Sequence, residues 1–192
     1  MAANIYMTSG ISGSGKSTFT RWLKRAVDAV EINADNIRAE LGDVSDQSKN
    51  DEVWKRVGAE TVKQVAGGNN VILSNTNLHY YLIKEQAEKF PLNKVILFIM
   101  DDSRNLQLCK DRVAKDLERG LERSKVPQEV IERQYKTFNY FLRDLSTKND
   151  IPKNLKITVV DGTFDFKTID DPKTLDEKID KSVFKKSRAG DE

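Results

Sequence analysis

The chain has 192 residues, with 32 Lys and Arg against 30 Asp and Glu, one Cys and one His. That length is one ordinary domain, enough to bury about 70% of its unfolded surface without disulfides or a structural metal. A lone Cys109 excludes an internal disulfide, Cys109 and His79 alone cannot build a Cys/His zinc site, and a net charge of +2 excludes a protein that coats nucleic acid by bulk electrostatics.

No segment approaches the roughly 20 apolar residues of a membrane span, and MAANIYMTSG lacks the basic and then apolar order of a secretory leader. The expectation is a soluble protein of the cytoplasm (the host's, if the chain is viral), with no membrane partner. In chain order, short β-branched apolar runs are predicted as strands at Ile5 to Met7, Val30 to Asn33, Val71 to Leu73, Val95 to Met100 and Ile157 to Val160. Helices are predicted between them at Lys16 to Ala29, Asp35 to Leu41, Asn50 to Ala66, His79 to Phe90, Ser103 to Leu117 and Pro127 to Leu145. The run VILFIM is continuously apolar, as a strand buried on both faces of a parallel sheet must be. From Asp165 the chain turns polar, so residues 1–164 are expected to form the domain and 165–192 a polar appendage, with LDEKIDKSVFKK as an amphipathic helix.

Directly after the first strand stands Gly10-Ile11-Ser12-Gly13-Ser14-Gly15-Lys16-Ser17-Thr18, the pattern of Gly, four residues, then Gly-Lys-Ser/Thr. Glycines at these places let successive N–H groups turn inward on a triphosphate, and the following helix presents its positive end to the same anion. Lys16 is placed to reach the β- and γ-phosphates. The Ser17 hydroxyl is a hard oxygen ligand for Mg²⁺. Strand before and helix after agree with a nucleoside-triphosphate site built from Gly10, Ser12, Gly13, Ser14, Gly15, Lys16, Ser17 and Thr18.

Two further features face phosphate. In Ile32-Asn33-Ala34-Asp35-Asn36-Ile37-Arg38 a strand gives way to a helix, and the spacing of Asp35 and Arg38 puts both on one face. There a carboxylate can take the proton of an attacking hydroxyl and a guanidinium can hold a phosphate; the competing reading makes Asp35 an ordinary N-cap. Farther on, Lys115, Arg119 and Arg123 recur every fourth residue, which in a continuous helix lines three cations on one side, with Gly120 as a hinge. A basic segment before the last long helix suits a lid over residues 112–126; a solvated helix face is the alternative, since Asp111, Asp116, Glu118 and Glu122 are interleaved.

Together these residues resemble the kinase domain of phage 5′-hydroxyl polynucleotide kinase and related small P-loop (AAA-type) kinases. The resemblance rests on the GSGKST loop, the Ile32 to Arg38 segment, Ser74-Asn75-Thr76-Asn77-Leu78, and Arg119-Gly120 with Val126-Pro127 and Val130-Ile131, in the same order from the loop to about Phe141. It implies an α/β P-loop kinase fold, a five-stranded parallel sheet flanked by helices with a basic lid. It implies ATP and Mg²⁺ at Lys16 and Ser17, Asp35 as general base, Arg38 positioning a phosphate near the acceptor, Arg119 acting from the lid, and Arg112 and Arg123 as nucleotide contacts. Where the polynucleotide kinase carries an Asp after the third strand, this chain has Asn75.

The expected activity is transfer of the γ-phosphate of ATP to a hydroxyl of DNA or RNA, above all a 5′-hydroxyl end. A hydroxymethylated base within DNA, such as 5-hydroxymethyluracil, or a nucleoside or nucleotide is the rival acceptor; a nucleotide-dependent switch is the reading from another class. Asp161 is read as the end of the last strand, with Gly162 to Phe164 as an adenine-side loop. Tyr80, Tyr81, Tyr135, Phe138, Tyr140 and Phe141 are candidates for base stacking, although aromatics at helical spacing more often belong to a core.

Overall fold

The structure, a computed structural model, describes residues 2–42, 48–120 and 126–184. The chain runs β1 (Ile5–Ser9), α1 (Lys16–Val27), β2 (Ala29–Ile32), α2 (Ala34–Leu41), α3 (Asn50–Ala66), β3 (Asn70–Leu73), α4 (Tyr80–Lys89) and β4 (Val95–Met100). A 3-10 turn at Asp101–Arg104 leads into α5 (Leu106–Glu118), α6 (Gln128–Thr147), β5 (Leu155–Val160) and β6 (Phe166–Ile169), followed by 3-10 turns at Pro172–Lys178 and Lys181–Phe184.

The sheet order is β2-β3-β1-β4-β5-β6. The first five strands are parallel, with Met7 aligned with Leu73 on one side and Leu97 on the other. The strand order reverses at β1, so the loop leaving its carboxyl end opens at the crevice where ligands bind in open α/β sheets. Alternate residues divide the core. Ile5, Met7, Leu97 and Ile99 face α3, α4 and α6 through Val53, Ile83, Phe138 and Leu142, while Tyr6, Phe98 and Met100 face α1 through Phe19 and Leu23. Burial on both faces is why β4 reads as VILFIM without alternation.

Two expectations change. The sheet has six strands rather than five, because Phe166–Ile169 pairs antiparallel with β5 as an edge strand. The segment after Asp165 is also more than a polar appendage: Leu175 is fully buried and Ile179 lies in the main core cluster. Its expected helix is two 3-10 turns, because Asp171 and Asp180 each accept a downstream backbone N–H and start a turn of their own. Asn139 accepts the Asp180 N–H at 2.7 Å and Tyr135 donates to its carboxylate at 2.8 Å, which ties this segment to α6.

Candidate active site

The loop between β1 and α1 is held from three sides. The Gly10 N–H bonds the Thr76 carbonyl at 3.0 Å, the Ile11 N–H the Ser103 hydroxyl at 3.2 Å, and the Ser12 N–H the side-chain oxygen of Gln134 at 2.8 Å. Ser14 N–H bonds back to the Ile11 carbonyl. None of the described hydrogen bonds takes the N–H groups of Gly13, Gly15 or Ser17, so these remain for an anion at the start of α1, where the helix dipole favours negative charge.

Gly13 has φ +82, and a Cβ there would lie 2.2 Å from the Cys109 carbonyl, so α5 lies directly against the loop. Burial pushes the Cys109 thiol up to about 11, so it stays protonated. The residues fit a bound triphosphate and metal. The Lys16 ammonium spans the loop to the carbonyls of Gly10 (2.8 Å) and Ile11 (2.7 Å), Ser17 and Thr18 are exposed in the first turn of α1, and the buried Ser14 hydroxyl has no hydrogen-bond partner among the described residues.

Beside the loop, Asn33 rather than Asp35 caps α2: its side chain accepts the Asp35 N–H at 2.7 Å and donates to the Ser74 carbonyl at 2.9 Å. Asp35 is therefore spared for other work. Arg38, almost buried, donates from Nη1 to Asp35 Oδ1 at 2.5 Å and from Nε and Nη2 to Asn50 Oδ1 at 3.3 and 3.0 Å. The second carboxylate oxygen of Asp35 accepts no hydrogen bond among the described residues. Asn75 Oδ1 accepts the Ala34 N–H at 3.1 Å, and the next residue, Thr76, accepts from Gly10. One short stretch after β3 thus holds both the phosphate loop and the start of α2.

Arg112 reaches the site: it donates to Asp102 Oδ2 at 2.7 Å and to the Gly13 carbonyl at 3.3 Å. Arg119 ends α5, exposed. Gly120 takes φ +63 and closes α5 with an N–H bond to the Leu117 carbonyl. Arg123 itself lies outside the described residues.

On the α1 side a groove of about 360 Å³ is lined by Thr18, Arg21, Trp22, Arg25, Ala26 and Phe164. Phe164 belongs to the turn from β5 to β6 and packs its ring on Phe19 and Trp22. A larger cavity, about 640 Å³, opens at the other end of β4 and β5 beside Lys94 and Lys156 and touches no residue of the loop. Of the aromatic stacking candidates, Tyr80, Phe138 and Phe141 are core, Tyr135 is bonded to Asp180, Tyr140 packs on Phe184 and Arg143, and Tyr81 is exposed.

Asn50 and Gln134 escape a reading by motif. Gln134 leaves one signal, a polar residue beside the apolar stripe Ile131, Phe138, Phe141, Leu142 and Leu145 of α6. Among the described residues no group of three or more His, Cys, Asp and Glu side chains could hold a metal ion, and no helix is long and apolar enough to cross a membrane.

A glycine-rich loop at the switch point of a parallel sheet, with a lysine across it and a helix carrying an Asp–Arg pair fastened to the same stretch after β3, is the build of a small P-loop kinase domain. The chain belongs to the AAA domain family AAA_33, whose model matches residues 5–140. It is 31% identical over 147 residues to a protein of Autographa californica nuclear polyhedrosis virus that is by name a bifunctional polynucleotide kinase/RNA ligase. That match covers 67% of this chain and only 20% of the viral protein. Among solved structures, a chain of the Pnkp1/Rnl/Hen1 RNA repair complex matches with a TM-score of 0.65 and 24% identity over 74% of this chain and 46% of that one. A chain of the PezAT toxin–antitoxin system of Streptococcus pneumoniae matches with a TM-score of 0.62 and 16% identity over 92% of this chain and 78% of that one. Both show the fold.

Proposed function

We propose that the protein is an ATP-dependent kinase that transfers the γ-phosphate to a hydroxyl of nucleic acid, at a 5′-hydroxyl end. The observation that carries this reading is the shared anchor after β3, which sets the Asp35–Arg38 pair beside a loop built for a triphosphate. A switch that only binds nucleotide has no need of a carboxylate there. The viral relative named as a polynucleotide kinase supports the choice of acceptor.

The loop amides and Lys16 bind and orient the triphosphate; the Ser17 hydroxyl would hold Mg²⁺, which would supply further positive charge there. Asp35 takes the proton of the acceptor hydroxyl as its oxygen bonds to the γ-phosphorus and the bond to ADP breaks. Arg38 pairs with a phosphate of the acceptor. Arg119 offsets charge on the transferred group, and Arg112 fixes the loop through the Gly13 carbonyl. The purine of ATP lies toward Thr18, Trp22 and Phe164, at the groove beside α1.

Incubation with γ-labelled ATP and three acceptors tests this: a 5′-hydroxyl oligonucleotide, a duplex with an internal hydroxymethylated base, and a nucleoside. Label on the oligonucleotide end is expected. Label confined to the modified base or the nucleoside would replace the acceptor, and label on none, with ATP bound, would leave a switch.

A further inference from the structure

The side chain of Gln134 is the one contact that α6 makes to the backbone of the phosphate loop among the described hydrogen bonds. Its partner, the Ser12 N–H, can only donate, so the atom at 2.8 Å must be the amide oxygen; this settles which end of the carboxamide faces the loop. The amide nitrogen of Gln134 then carries two N–H donors, and no described residue accepts either. Because the oxygen and nitrogen of one carboxamide are about 2.3 Å apart, that nitrogen lies within about 5 Å of the Ser12 amide. Ser12 is followed in the loop by Gly13, whose N–H takes part in none of the described hydrogen bonds, and Gln134 is half-buried on the inner side of α6, beside the fully buried Ile131 and Phe138. An amide fixed at one end, with its donor end unused at the rim of an anion nest, is a built hydrogen-bond donor for an anion.

We infer that Gln134 is a catalytic residue of the donor site, with its amide oxygen locked on the Ser12 N–H and its amide N–H₂ donating to the terminal phosphate of the bound nucleoside triphosphate. The inference rests on the reading of the loop as the ATP site and adds the residue that recognises the third phosphate. Gly13, Gly15 and Ser17 present their amides to the inner phosphates whether two or three are present. Gln134 gains a partner only when the γ-phosphate is there. The same donor follows the phosphoryl group as charge spreads over its oxygens during transfer, so the contact serves discrimination and rate together.

The test compares ATP and ADP affinity by calorimetry in the full chain and in Gln134→Met, which keeps the length of the side chain and removes both polar ends, and Gln134→Glu, which keeps the acceptor for Ser12 and removes the donor. The expected result is ATP binding weakened about ten- to a hundredfold in both variants, with ADP affinity within about threefold of the parent. Folding is checked by the unfolding midpoint. Equal loss for ATP and ADP would reduce Gln134 to a support of the loop and overturn the assignment, and so would unchanged ATP affinity. A parent protein that binds neither nucleotide would overturn the reading of the loop itself, a result seen before any variant is made.

Discussion

The side-chain oxygen of Asn75 accepts the Ala34 N–H at 3.1 Å, so the second residue after β3 fastens the helix that carries Asp35 and Arg38. An amide does this as well as a carboxylate would, because the bond needs only an acceptor. The neutral residue therefore keeps this anchor without adding a negative charge beside the loop between β1 and α1.

Asn75→Ala is expected to cost about 1 kcal/mol of stability, the worth of one backbone N–H bond, and to lower transfer by loosening the start of α2. Asn75→Asp is expected to recover the stability. Denaturant unfolding of the parent and the two variants measures both; equal midpoints for all three would remove the anchoring role.

Gly13→Ala places a methyl group 2.2 Å from the Cys109 carbonyl at φ +82 and is expected to abolish ATP binding and lower stability by about 2 kcal/mol or more. Gly15→Ala meets no atom within 4 Å and carries only the left-handed strain, about 1–2 kcal/mol. A larger unfolding loss at position 15 than at 13 would contradict the packing of α5 on the loop.

Trp22 is half exposed in the groove with Thr18 and Phe164, while Trp54 is half exposed on α3. In a Trp54→Phe protein, ATP is expected to change the remaining emission with the same midpoint as direct binding. A saturating ATP titration with no change would place the purine elsewhere.

Tyr135 and Asp180 link α6 to the segment after β6. Burial, with the Asp180 carboxylate beside it, pushes the Tyr135 hydroxyl up to about 12, while bonds from Ser182 and Tyr135 hold Asp180 below the usual carboxylate range. A raised tyrosine favours the folded state fully below its unfolded value, about 10, and that contribution is lost as pH rises toward 12; the lowered aspartate contributes above about 4 and is lost below it. Tyr135→Phe is expected to cost about 1 kcal/mol at pH 7 and to flatten the alkaline loss between pH 10 and 12, read by unfolding midpoints across that range.

Much of the scaffold is legible in residue types, and what is missed has local causes. VILFIM and the GSGKST loop announce β4 and the turn from β1 to α1. The last residues of β1, Thr8 and Ser9, hide because they are polar yet fully buried; their hydroxyls bond the Asn75 and Asn77 carbonyls, a partner some seventy residues away that composition does not reveal. The edge strand FKTI shows no buried face to read. At α2, Asn33 and Asp35 are both able caps, and only the contact of Asn33 with the Ser74 carbonyl decides between them. Gln134 stands apart because its meaning depends on Ser12, on the far side of the chain.

The most direct measurement is transfer of label from γ-labelled ATP to a 5′-hydroxyl oligonucleotide by the parent, Lys16→Ala and Asp35→Ala, with ATP binding measured alongside. Asp35→Ala is predicted to bind ATP like the parent and transfer none of it, while Lys16→Ala loses both. Near-parent transfer by Asp35→Ala would contradict the assignment of Asp35 as the base on the acceptor hydroxyl.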